Sequence, residues 1–398
     1  MLATFAAAFA LVVGVGDQRP SSFADARLRA LELPVARMIV PWDAVHSQPE
    51  KVDAWLAATA AAGMRPHIAF EHLSSDRCPG APCVLPTREQ YRDAVRAFIA
   101  RWPQVRTYTA FNEANHPSQP TARRPEAAAA YYEELRAACR GCIVVAADVL
   151  DSGSYVKWIR RFRAVVRGNP RLWGLHNYAD VTYGTTAATD QMLAAVPGAL
   201  WLEETGGLVT RRDGAGRALL SYDEARAARA IGNLFRLVRT RPRIERVYLY
   251  QWQAGATDLF DAGIVRPDGA ARPSYDALVA GLRTRRRASP EVTWRASWSR
   301  GRLVLRGRCA AARCRGRVTV KLRSSRTFRA KLRTTKTLGT RAYGHRTLRL
   351  KVSPKVRETL RRAARRRVSL TVRSTAPVRA RQSVVLKLPR PTRAGSRS

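Results

Sequence analysis

Eight short apolar, β-branched or aromatic runs recur over about 270 residues, at 11–16, 35–40, 65–70, 105–113, 142–149, 173–178, 199–206 and 246–252. Stretches rich in Ala, Leu and Arg separate them, as at 52–62, 87–101, 125–138 and 222–239. Three helix starts look capped: Ser22 before the first, Pro86-Thr87 with Gln90 before the third, and Ser221 with Glu224 before the seventh. Strand–helix alternation repeated eight times predicts an α/β fold, a closed parallel (β/α)8 barrel. A doubly wound open sheet is the alternative, but it would more often use five or six strands and a glycine-rich first turn. Val13-Gly14-Val15-Gly16-Asp17 is too weak a glycine pattern for a dinucleotide site.

The charge divides the chain. From Arg283 onward there are 37 Lys and Arg against two acidic residues, Glu291 and Glu358, whereas the part before it is close to balanced. A break of that size places a boundary near Arg283, between a barrel at 11–284 and a basic module at 285–390. In the second part, period-two runs such as Arg302-Leu-Val-Leu-Arg306 and Arg317-Val-Thr-Val-Lys-Leu322 predict a small antiparallel β-sandwich. Residues 391–398 read as a disordered tail.

The six cysteines form three close pairs, 78/83, 139/142 and 309/314. Such pairing suits local disulfides in an oxidising compartment. A shared zinc site competes with that reading, but the first two pairs belong at opposite ends of the barrel. A redox role for Cys139-Arg-Gly-Cys142 would need a thioredoxin-like βαβ setting that is missing here. Residues 1–10 resemble the apolar part of a secretion signal, without the basic residues that normally precede it. The apolar run 2–16 is short for a membrane span. Together these predict a secreted or cell-wall-associated protein.

In such a barrel, chemistry gathers where strands end. Glu113 ends the fourth run and Glu204 ends the seventh, so both should face one mouth. Cleaving a glycosidic bond takes two carboxyl groups on opposite sides of the anomeric carbon. Side-chain alternation chooses between Glu203 and Glu204: Leu200, Leu202 and Glu204 share a face suited to the interior, which turns Glu203 toward the helices or the rim. Asp148 and Asp151 follow strand five and are candidates for the cleft lining. His67 and His116 read as structural or loop residues.

At these residues the chain resembles the clan A retaining glycoside hydrolases, over roughly 14–282. Phe111-Asn112-Glu113 is similar to the family's strand-four Asn-Glu, which implies Glu113 as acid/base and Asn112 as a ligand of the sugar 2-hydroxyl. Glu204-Thr205-Gly206 is similar to the nucleophile motif, and His176-Asn177-Tyr178 to a His-x-Tyr whose Tyr bonds the nucleophile. Trp252 resembles a platform under the sugar, and Arg37 a support for the nucleophile carboxylate. Glu203 departs from the pattern, since a small or uncharged residue usually stands there. The strand-three end, Phe70-Glu71-His72, matches only loosely.

The resemblance implies carboxyl groups ~5–5.5 Å apart. Glu113 should then titrate above Glu204, with no metal or cofactor required. The expected partner is a carbohydrate, acted on by a monomer. The basic module, loosely similar to Ig-like modules, adds anionic cell-wall polymers as a second partner; no nucleic-acid motif appears in it. Two competing readings are a catalytically silent glycan-binding or cell-wall-associated protein and a polyanion- or nucleic-acid-binding protein.

Overall fold

The computed structural model describes residues 11–288 and seven strands beyond them, with side chains described through Arg283. The chain divides into two units, Met1–Leu282 and Arg283–Ser398.

The first unit is built on parallel strands β1 (Val12–Gly16), β2 (Val35–Pro41), β3 (Arg65–Glu71), β4 (Thr107–Thr109), β5 (Ile143–Val145), β6 (Asp148–Leu150), β7 (Leu172–His176) and β8 (Ala199–Thr205). After β9 (Thr210–Arg212) and β10 (Ala218–Leu220) comes the last barrel strand, β11 (Ile244–Tyr250), followed by β12 (Phe260–Asp261). The sheet order is β5-β4-β3-β2-β1-β11-β8-β7-β6. Its two ends, β5 and β6, are halves of a single run broken at Ala146-Ala147. Bonds from Ala146 N to Leu172 O (3.0 Å) and from Gly174 N to Ala147 O (2.8 Å) bridge the break. The result is a TIM-barrel-like α/β fold. Strands β9, β10 and β12 form a small antiparallel sheet that the sequence analysis did not anticipate.

Helices pack outside the ring. Helix Arg88–Arg101 starts with the expected capping box: Gln90 N donates to Thr87 Oγ1 at 3.2 Å and Thr87 N to Gln90 Oε1 at 2.8 Å. The other two expected caps fall elsewhere. Asp25 caps helix Ala26–Ala30 in place of Ser22, and Asp223 caps helix Glu224–Thr240 in place of Ser221. A carboxylate adjacent to the helix wins over the more distant serine, and Glu224 is drawn instead into a pairing with Arg266.

Two layers of packing follow from strand alternation. Leu200 and Leu202 turn outward into the large cluster that includes Leu234 and Phe235 of helix Glu224–Thr240. Val35, Val145, Trp201 and Tyr248 form a separate cluster inside the barrel. This reverses the expected faces of the seventh run: Trp201 points in, and the two leucines point out.

Disulfides join Cys78 to Cys83 and Cys139 to Cys142, in place of a shared zinc site. The pairing of Cys309 with Cys314 lies outside the described residues, as do 1–10 and 391–398. In the second unit, Val292–Ser299, Arg302–Cys309 and His345–Leu350 form one antiparallel sheet. Arg317–Arg323, Arg329–Thr334, Arg367–Thr375 and Ala380–Lys387 form another. Among the described residues, no helix is long and apolar enough to cross a membrane.

Gly174 allows the barrel interior to be polar. A Cβ there would lie 2.6 Å from Asp148 Oδ1 and 2.8 Å from Glu203 Cγ. Gly174→Ala is therefore expected to lower stability by about 1–3 kcal/mol. The check is a lower urea midpoint at an unchanged slope.

Candidate active site

The site is assembled around one guanidinium. Arg37 lies near the barrel axis on β2 and is 1% exposed. Its Nε donates to Glu203 Oε2 at 3.2 Å, and its Nη1 to Glu204 Oε1 at 2.8 Å. Its Nη2 donates to Asn112 Oδ1 at 2.6 Å and to Asp148 Oδ2 at 2.9 Å. Burial alone would loosen the Arg37 proton, but Asp148, Glu203 and Glu204 overcome it and hold the group charged.

His176 ends β7 and connects this hub to the cleft. Its Nε2 lies 2.8 Å from Asp148 Oδ2, and its Nδ1 lies 2.9 Å from Glu113 Oε1 and 3.5 Å from Glu204 Oε2. Burial pushes His176 down, but Asp148 and Glu204 outweigh it and carry it well above the usual imidazole value. Tyr178 donates to Glu204 Oε2 at 3.1 Å. One oxygen from each of Glu113 and Glu204 and a ring nitrogen of His176 all lie within 4.8 Å of one another. Both ring nitrogens already have carboxylate partners, so hydrogen bonds bind the trio together.

Strand β4 stops at Thr109, four residues short of the expected end. Glu113 therefore projects from an irregular segment and has a left-handed backbone, φ 41°. Such a conformation costs a non-glycine residue on the order of 1–3 kcal/mol. The neighbours fix it: Asn112 N donates to Phe70 O at 2.6 Å and Ala114 N to Asp148 O at 2.9 Å.

The placement of Glu203 differs from expectation. It is wholly buried inside the barrel, not turned toward the helices or the rim. A bulge in β8 is the reason. Leu202 lies opposite Leu175, but the next pair is Glu204 with His176; on the other side Val247 pairs with Leu202 and Leu249 with Thr205. One extra residue lets both glutamates face inward. Thr109 donates its hydroxyl to Glu203 Oε2 at 2.5 Å. His67 lies behind it, with Nε2 2.8 Å from Thr109 Oγ1 and Nδ1 2.9 Å from Tyr248 O–H. Burial and the charges of Arg37 and Arg246 hold His67 far below its usual value, so the ring is neutral. The chain of donors then runs from Tyr248 to His67 to Thr109 to Glu203.

Trp252 also falls elsewhere. Its ring is buried, donates Nε1–H to Asp25 Oδ2 at 3.0 Å and packs on Tyr275. Strand β11 ends at Tyr250, and Asp17 Oδ2 then accepts the Trp252 backbone N–H at 3.0 Å, which turns the indole away. The cleft surface at that strand end is Tyr250. Asp148 belongs to the buried hub, whereas Asp151 reaches the cleft.

The cleft is a cavity of about 490 Å³. Asn112, Glu113, His116, Tyr178 and Glu204 line it on the polar side, with Leu208, Arg211, Leu219, Tyr250 and Phe260 on another. Leu219 and Phe260 come from the small sheet, and no periodicity in the sequence marked them. The expected titration order is reversed in this cleft. Burial would raise Glu113, but the His176 bond and charge, with His116 and Arg37, bring it below its usual value. Burial raises Glu204, helped by Glu113 and Asp148 and opposed by His176 and Arg37.

Residues 85–271 match the family described as Glycosyl hydrolase catalytic core, a span that contains both Glu113 and Glu204. The protein is a glycosidase. Its fold is similar to that of a GH5_18 protein from Streptomyces cattleya solved in complex with GlcNAc, at 17% identity, TM-score 0.53, over 71% of this chain and 82% of that one. It is also similar to xylanase 10B from Thermotoga maritima, at 11% identity, TM-score 0.50, over 69% and 95%. No curated protein matches the chain by sequence.

Removing the hub cation leaves buried carboxylates unpaired. Arg37→Met is expected to cost about 3–5 kcal/mol at neutral pH. The orphaned acids can neutralise themselves by protonation, so the deficit should shrink as pH falls. Urea denaturation of wild type and variant at neutral and acidic pH checks both points.

Proposed function

We propose that the protein is a secreted, retaining O-glycoside hydrolase, with Glu204 as nucleophile and Glu113 as acid/base. The observation that supports this best is the closeness of the two side chains, with oxygens within 4.8 Å. A retaining pair is ~5–5.5 Å apart, whereas an inverting pair leaves ~6.5–9.5 Å for a water.

In the first step a Glu204 oxygen bonds to the anomeric carbon, the bond to the leaving oxygen breaks, and Glu113 gives that oxygen its proton. In the second, water loses a proton to Glu113 and displaces Glu204. Arg37 and Tyr178 hold the attacking carboxylate, and Asn112 meets the sugar beside it. The order of proton affinities in the open cleft needs one adjustment, which substrate supplies. Glu113 keeps 20% of its side chain exposed. A bound sugar covers it, its charged form loses water, and the proton on His176 Nδ1 moves across 2.9 Å to Glu113 Oε1. His176 then remains neutral, with Nε2–H on Asp148.

The two C-terminal sheets would pack as a sandwich. Its excess of Lys and Arg suits anionic cell-wall polymers, which would keep a secreted enzyme near its glycan.

Screening aryl glycosides and polysaccharides supplies the assay. Glu204→Gln is expected to abolish turnover, and Glu113→Ala to lose roughly 10²–10⁴-fold and recover with azide. Unchanged turnover in either variant rejects the assignment, and a wild type that binds glycan without cleaving it establishes the silent reading. Full-length protein should bind a polyanionic wall polymer with an affinity that falls steeply with salt; salt-independent binding would reject the role given to the basic part.

A further inference from the structure

Glu203 stands where the resemblance calls for a small or uncharged residue, yet it is buried one position from the nucleophile and shares its guanidinium. The groups facing it come from every neighbouring strand: Arg37 on β2, His67 on β3, Thr109 beyond it on β4, Asp148 on β6, His176 on β7, and Tyr248 on β11, with Arg246 bonded behind Tyr248. Four carboxylates, Glu113, Asp148, Glu203 and Glu204, are grouped around Arg37 and His176, while the third cation, Arg246, lies over the Trp201 ring. A buried anionic surplus of that size does not persist, so protons must enter.

Two atoms indicate where one of them sits. Glu203 Oε1 and Asp148 Oδ1 are both buried without a hydrogen-bond partner. Both side chains crowd the bare face of Gly174. A proton on Glu203 supplies the missing donor between two acids that otherwise repel.

We propose that Glu203 is a positioning residue that works as a neutral acid: by holding a proton beside Asp148 it accepts from Arg37 Nε without claiming the charge, which stays on Glu204. This rests on the retaining reading given above. Loss of the proton puts a third anion on Arg37, beside Glu204 and Asp148, weakens its hold on the nucleophile and raises the proton affinity of Glu204. Burial, with Asp148 adding to it against Arg37, Thr109 and His176, places the Glu203 titration at about 7.

The test has one arm that needs no turnover. With ¹³Cδ-labelled glutamate, the whole protein should show a side-chain carboxyl resonance titrating near neutral pH, and Glu203→Gln should lack it. In the second arm, kcat/KM for an aryl glycoside substrate should fall in wild type as pH rises through the same ionisation. Glu203→Gln, whatever its absolute rate, should lose that limb because its amide cannot ionise, while Glu203→Ala should lower kcat more than it changes KM. A Glu203 resonance that titrates in the ordinary carboxylate range overturns the inference. So does a Glu203→Gln pH profile that superimposes on wild type. If wild type cleaves no glycoside, the retaining reading fails and the resonance alone decides the protonation of Glu203.

Discussion

The architecture of the site depends on one buried charge. Arg37 donates to Glu203, Glu204, Asn112 and Asp148, which arrive from three different places in the chain. A guanidinium can do this because its planar fork presents five donors and keeps its proton when buried. An ammonium at the same point would offer three donors with no fixed plane. The carboxylates in turn need Arg37, since each would otherwise be neutralised or drawn to water.

Around that hub the barrel interior departs from the usual filling of branched aliphatics. Val35, Val145, Trp201 and Tyr248 close its floor. Above them lies a polar layer in which His67, Thr109 and Glu203 form one hydrogen-bonded chain and Asp148 bonds to Arg37 and His176. Small residues make room for it, Gly174 above all. The Arg246 guanidinium lies 3.7 Å over the Trp201 ring, so even the floor carries a paired cation. Such a layer is rigid because each member has few alternative partners, and rigidity is what a site requires of the strands that hold its reacting groups.

The cleft and the hub are linked by His176. One ring nitrogen contacts the buried Asp148 and the other contacts Glu113 at the surface of the cleft. Proton position in the cleft is therefore coupled to charge in the interior, and Glu113 and Glu204 titrate as members of one set.

The eightfold alternation and the helix spans were legible in the chain, because periodicity is a local property. The capping box at Thr87 and Gln90 was legible for the same reason. Which face of the seventh run points inward was not. Leu200 and Leu202 suit an apolar interior, but the helix layer offered them a larger apolar surface, and Arg246 and Arg37 drew Trp201 and Glu203 to the other side. Alternation alone would then have sent Glu204 outward. Only the bulge in β8, set by pairing with β7 and β11, admits both glutamates. Trp252 was misplaced for a related reason, since Asp17 and Asp25, more than two hundred residues away, capture its backbone and its indole. The sequence by itself determined the repeating elements and their order. The tertiary structure decided which side chains face the axis, because that choice is made by charges and hydrogen bonds between residues far apart in the chain.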